Sequence, residues 1–261
     1  MLVLDSSLEM AQACRTATRP LGLVPTMGAL HEGHLALIRR AREENDTLVV
    51  SIFVNPAQFG AGEDFGGYPR DLDRDLDLLQ WEQADLIFVP GEEQIYPLGF
   101  DTWVDAGNLT GMLEGVHRPG HFRGVATVVT KLFNLVRPDR AYFGQKDGQQ
   151  AIIIGRLIAD LNFPVDMRVL PTVRESDGLA LSSRNVYLNH EERRAAAVLP
   201  AALFAIRDQW RDGENNCNRL LELGRDLIAA EPLVKLEYLT IADASTLREL
   251  SEIDDSALAL I

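Results

Sequence analysis

The chain has 261 residues, 46% of them hydrophobic and 25% charged, the make-up of an ordinary globular protein able to bury a substantial core. Its 39 acidic and 25 basic residues give a formal net charge of -14, a field that repels polyphosphate backbones and argues against a nucleic-acid partner. No run approaches the roughly 18 apolar residues of a membrane span, the N-terminus lacks a leader pattern, and Cys14 and Cys217 form no metal or redox motif, so the expectation is a cytoplasmic protein with reduced thiols.

Apolar runs at 21–24, 47–54, 85–89, 140–143 and 165–170 alternate with helical patterns at 34–44, 70–83, 122–136 and 148–160. Strands spaced by helices of this length predict βαβ units, hence an α/β protein with a Rossmann-like parallel sheet flanked by helices and ligand sites at the carboxyl ends of its strands. After residue 172 a polar loop leads into an Ala-rich helix and a charged, Leu-containing tail. The expected division is residues 1–172 and a smaller C-terminal unit, 173–261.

The first of these runs enters PTMGALHEGH, Pro25–His34, and then a helical pattern, so the stretch reads as strand, Gly-containing loop and helix N-terminus. Unpartnered first-turn amides and the positive end of the dipole suit such a junction to an anion. His31 and His34, three apart, share one face of the first turn; they are either caps or one wall of a phosphate site. Gly33 between them removes a side chain that would hold a ligand off the backbone.

The second strand ends in NPAQFG, where Asn55 and Gln58 are turn formers or amides able to meet hydroxyl and carboxylate groups. Asp71 and Asp75 lie one turn apart on a helix; they form a solvated acidic face or, if aimed at phosphate, need a divalent cation between. Arg118, His121 and Arg123 occupy a Gly/Pro loop that reads equally as an anion-handling lid or a surface turn. GQKDGQQ places Lys146, Asp147 and Gln150 at a strand-to-helix turn, and LSSRN places Ser182, Ser183 and Arg184 in a flexible loop that can close donors over phosphates. With neither GxxxxGK[ST] nor GxGxxG present, nucleotide binding here must use the HxGH loop.

PTMGALHEGH, SIFVNPAQFG, YPR followed by Asp75, RPGHFRGV, FGQKD with QQ, and DGLALSSRN, in this order over roughly residues 20–188, resemble the pantothenate synthetases, the pantoate:β-alanine ligases of the HxGH nucleotidylyltransferase superfamily. The resemblance implies ATP-dependent condensation of pantoate with β-alanine through a pantoyl adenylate, releasing AMP and pyrophosphate, in a homodimer with a C-terminal α+β lid. His31, His34, Lys146, Ser182 and Arg184 would be catalytic. Pro25, Thr26, Met27, Gly28, His34, Gly144, Lys146, Asp147, Leu181, Ser182, Ser183 and Arg184 would hold ATP. Asn55, Gln58 and Gln150 would hold pantoate, Asp75 would associate with Mg²⁺, and Arg118 and His121 would contact substrate or the neighbouring subunit.

The chain departs from the family pattern at Gln145, Gly148, Gly66 and Gly67, and it ends at DDSALALI where relatives continue. The readings set against the ligase are another HxGH nucleotidylyltransferase or adenylating enzyme acting on a different small acid, and a non-catalytic binding protein on the same fold. The acidic charge and the absence of any plausible tRNA-binding domain argue against a class I synthetase fragment.

Overall fold

Strands that carry apolar residues without polar alternation must be covered on both faces, and Leu21–Thr26 and Thr47–Ile52 are buried along nearly their whole length. They lie at the centre of a computed structural model that describes residues 1–253 and 257–261. In chain order the first part comprises β1 (Leu2–Leu4), α1 (Ser7–Thr16), β2 (Leu21–Thr26), α2 (Glu32–Glu44), β3 (Thr47–Ile52), α3 (Leu72–Trp81) and β4 (Leu86–Phe88). It continues with the single turns α4 (Glu92–Ile95) and α5 (Glu114–His117), then α6 (His121–Val136), β5 (Arg140–Gly144), α7 (Gly148–Asp160) and β6 (Asp166–Leu170).

All pairings in the sheet are parallel, in the order β1-β4-β3-β2-β5-β6. Consecutive strand residues face opposite layers. Leu23 and Val49 enter a core shared with Phe133 and Ile154, whereas Val24 and Val50 enter one shared with Ile38 and Leu79. From β2 the chain first builds toward β3 and β4, then resumes on the other side at β5. The direction of winding therefore reverses between β2 and β5, which opens a crevice at their carboxyl ends.

The second part comprises α8 (His190–Ala195), α9 (Val198–Arg211), α10 (Cys217–Ala229) and the antiparallel pair β7 (Thr240–Asp243) and β8 (Ala257–Leu260). It has its own core of Ala202, Ile206, Leu220, Ile228 and Ile241. Of the terminal DDSALALI, Asp254–Ser256 lie outside the described residues and Ala257–Leu260 is β8. This strand packs on α7, where a Cβ at Gly148 would stand 3.0 Å from Leu260 Cδ2 and 3.4 Å from Leu258 Cδ2. The departure at Gly148 thus makes room for the returning strand.

Strands β2 to β6 and the helices α2, α3, α6 and α7 match the expected spans within about two residues at their ends. Not anticipated were β1, too short for a period to show, and α1, which buries only Met10 and Cys14, while the β7–β8 pair gives the C-terminal part the α+β character expected of it. No helix among the described residues is long and apolar enough to cross a membrane.

Candidate active site

The crevice holds a cavity of about 260 Å³, walled by the loops that follow β2, β3, β5 and β6 and by the segment from α5 into α6. Into it face Pro25, Met27, His31 and His34 from the first loop and Gln58 from the second. Gly144, Lys146, Asp147 and Gln150 line it after β5, Leu181, Ser182, Ser183 and Arg184 after β6, and Arg118 and His121 beside α5. Thr26, Gly28, Asn55 and Asp75 are the expected site residues that do not line it.

His31 is the N-cap of α2: its Nδ1 accepts from the Gly33 amide at 3.2 Å, and His34 Nδ1 accepts from the His31 amide at 3.4 Å. The ring centroids are 4.1 Å apart, with the ring planes tilted by 34°. An imidazole that accepts at Nδ1 carries its neutral-form proton on Nε2, so capping and ligand binding are compatible roles. Burial, then the neighbouring His31, pushes His34 down to about 3, and burial with the Lys146 charge lowers His31 as well. Both rings are therefore uncharged Nε2–H donors. A Cβ at Gly33 would come within 2.9 Å of His31 Cε1, so this glycine makes room for the capping ring rather than for a ligand.

The loop that carries the histidines is fixed from beneath. Gly28 has φ +80, and any Cβ there would stand 3.0 Å from both Asp75 Oδ2 and Ile52 Cγ2. Thr26 donates to Ser51 O at 2.7 Å and accepts from the Gly28 amide at 3.2 Å. Asp75, only 1% exposed, accepts from the Ala29 and Leu30 amides, each at 2.8 Å. The Asp75 carboxylate is thus a clamp on the loop, with each oxygen already accepting an amide, and it does not fit the Mg²⁺ role expected of it. Among the described residues no group of three or more His, Cys, Asp or Glu could hold a metal ion.

Asn55, expected to hold pantoate, does not line the cavity. It is 1% exposed; its Oδ1 accepts from Tyr96 Oη at 2.7 Å and from the Ala57 amide at 3.3 Å, while its Nδ2 donates to Gln58 Oε1 at 3.1 Å and Gly124 O at 3.2 Å. Gln58 Oε1 is thereby engaged, and its Nε2 points to the Met27 sulfur at 3.0 Å, on the cavity side. The turn can approach α6 this closely because residue 124 is glycine; a Cβ there would lie 2.2 Å from Ala57 O.

The charged groups form three sets. Lys146 Nζ and Asp147 Oδ1 pair at 2.9 Å. Asp147 raises Lys146; burial would raise Asp147, but the ammonium beside it outweighs that and holds the carboxyl low. Arg184 donates twice to Asp64, at 2.9 Å each, with its guanidinium over Tyr68 and Phe59. Arg118 grips Glu63 through Nε at 3.1 Å and Nη2 at 2.6 Å, and Glu114 through Nη1 at 2.8 Å. His121 Nδ1 donates to Gln58 O at 2.8 Å, and burial lowers this ring too, so it is neutral.

Ser182 caps the turn Ser183–Tyr187 through the Arg184 amide at 3.2 Å, and Ser183 Oγ donates to Ala29 O at 3.0 Å, tying the last loop to the first. Sequence reasoning did not single out Tyr96, Glu114, Asp64 or Gly124. Tyr96, Asp64 and Gly124 act across a long separation in sequence, whereas Glu114 pairs with Arg118 only four residues on.

The chain matches the family model described as pantoate-beta-alanine ligase over residues 3–261. It is 58% identical to the pantothenate synthetase of Roseiflexus castenholzii over 239 residues, 92% of this chain and 86% of the relative. The crystal structure of pantothenate synthetase from Thermus thermophilus superposes with a TM-score of 0.95 at 50% identity, covering 99% of this chain and 93% of that one. The pantoate-beta-alanine ligase of Francisella tularensis complexed with beta-gamma ATP and beta-alanine superposes with a TM-score of 0.79 at 32% identity, covering 99% and 96%. With a parallel sheet whose winding reverses at a cavity of donors and a match over nearly its whole length, the chain belongs to the pantoate-beta-alanine ligase family.

Proposed function

We propose that this ligase, which condenses pantoate with β-alanine at the expense of ATP, carries out both half-reactions in the cavity between β2 and β5. The observation that carries the assignment is the convergence of four donor-rich strand-end loops on that one space. A pantoate carboxylate oxygen attacks the α-phosphorus of ATP, the bond to the bridging oxygen breaks, and pyrophosphate leaves. The amine of β-alanine then attacks the acyl carbon of the pantoyl adenylate, the carbon–oxygen bond to AMP breaks, and the amine sheds a proton.

The Nε2–H donors of His31 and His34 meet phosphate oxygens, with Lys146 adding a compact positive charge. Ser182, Ser183 and Arg184 face the leaving pyrophosphate. Met27, Gly144, Asp147 and Leu181 border the nucleoside, and Gln58 with Gln150 hold pantoate, oriented by Asn55. Holding three reactants in register supplies most of the rate, since an acyl adenylate needs no protein nucleophile. Mg²⁺ enters with the nucleotide, because the residues present do not form a cage for it. Residues 173–261 act as the lid over residues 1–172, and the working form is a cytoplasmic homodimer.

Exchange of labelled pyrophosphate into ATP should require pantoate and not β-alanine, and AMP should accumulate only with both. Lys146→Ala and His34→Ala should each slow exchange by roughly 10² or more while the fold persists, the scale of losing one preorganised donor. Exchange driven by another acid and not by pantoate would overturn the site's assignment.

A further inference from the structure

We infer that Glu114 is the residue that captures the ammonium end of β-alanine. The inference rests on the reading of this cavity as the ATP and pantoate site, and it follows from its inventory of charge. Two acids line the cavity, Glu114 and Asp147. Asp147 is matched one to one by Lys146 at 2.9 Å. Arg184 is matched one to one by Asp64 behind it. Arg118 alone is shared, between Glu63 at 2.6 Å and Glu114 at 2.8 Å, and the adjoining His121 is kept neutral by burial.

One guanidinium against two carboxylates leaves a single negative charge in excess, and of the two carboxylates only Glu114 lines the cavity. Arg118 Nη1 occupies its Oε1, and its side chain is about one-third exposed, so the carboxylate retains acceptor capacity toward the space. A partly buried excess negative charge attracts a cation.

Position decides which cation. Arg118 Nη2 and His121 Nδ1 both reach the main-chain oxygen of Gln58, at 3.3 and 2.8 Å, and Gln58 turns its amide nitrogen to the cavity. The excess charge therefore lies beside the pantoate end of the site, and Lys146 on the phosphate side feels it as well. Of the three reactants only β-alanine brings a cationic group. Seated on Glu114, its nitrogen stands next to the acyl group, which it attacks once the ammonium has given up one proton to solvent. The main chain of Glu114 is itself held, its amide donating to Gln149 Oε1 at 3.1 Å, so the carboxylate is presented from a fixed turn.

The test separates the two half-reactions. Glu114→Gln keeps the shape and removes the charge, so the KM for β-alanine should rise roughly tenfold, the scale of one charge-assisted hydrogen bond. Pantoate-dependent pyrophosphate exchange, which involves no β-alanine, should stay within about twofold of the parent value. Glu114→Asp, which restores the charge on a shorter arm, should recover part of the lost affinity and guards against a merely structural effect. An unchanged KM for β-alanine, or a fall in exchange reversed by extra Mg²⁺, would overturn the inference, the second by making Glu114 a metal ligand. Absence of pantoate-dependent exchange in the parent enzyme would overturn instead the reading on which the inference stands.

Discussion

His31 and His34 close one another's turn at the head of α2, each accepting a main-chain amide at Nδ1 and so carrying its proton on Nε2, and both line the cavity. Burial holds His34 near 3 and lowers His31, so neither ring needs a proton to act as a donor and neither gains one near neutrality.

Pyrophosphate exchange should accordingly not decline between about pH 6 and pH 8, where an imidazolium donor would lose its proton. Stability behaves in the complementary way. The unfolded chain takes up a proton at His34 near pH 6.5 and the folded chain only near 3, so this contribution is complete above 6.5 and is lost as pH falls toward 3. Exchange rates and thermal midpoints across that range measure both effects. A rate that falls with an apparent pKa near 6.5 as pH rises would contradict the neutral-donor assignment.

Asp75 joins α3 to the loop that carries the histidines, through the Ala29 and Leu30 amides. Asp75→Asn turns an NH₂ group toward one of those amides and leaves a donor facing a donor. The variant should lose about 1–3 kcal/mol of unfolding free energy, the cost of an unsatisfied buried group. Exchange should drop with it, because the histidines lose their support. The Mg²⁺ concentration for half-maximal exchange should not move. Denaturant unfolding and a Mg²⁺ titration decide the matter; an intact fold with a raised Mg²⁺ requirement would return Asp75 to the metal.

The parts legible in the sequence were those set by neighbours in the chain. The strand and helix periods, the HxGH turn, the Lys146–Asp147 pair and the Ser182 turn all depend on residues within a few positions of one another. What could not be read depends on distance in sequence. Asp75 has the spacing of a solvated helix face, yet its carboxylate is buried against amides 45 and 46 positions earlier. Gly33 and Gly148 were legible as glycines but not as space for His31 and Leu260. Asn55 was found by its place at a strand end, while the Tyr96 hydroxyl that engages it comes from a segment with no recognisable pattern.

Tyr96 makes that engagement testable. Its hydroxyl donates to Asn55 Oδ1 at 2.7 Å, and burial raises the phenol, so it stays protonated and remains the donor. Asn55 Nδ2 then faces Gln58 Oε1, and Gln58 Nε2 points to the Met27 sulfur, so a chain of donors leads from Tyr96 to the proposed pantoate site. The ring stacks on Trp103 at 6.0 Å and meets Phe100 at 5.1 Å, contacts that Tyr96→Phe preserves. The variant should therefore fold, with a loss of about 1 kcal/mol from the missing hydrogen bond. Its KM for pantoate should rise several-fold while its KM for ATP stays constant, because the Asn55 amide, and through it that of Gln58, is released to rotate. Steady-state kinetics with each substrate varied in turn provide the measurement, and equal changes in both constants would place the effect of Tyr96 on the fold as a whole rather than on the pantoate amides.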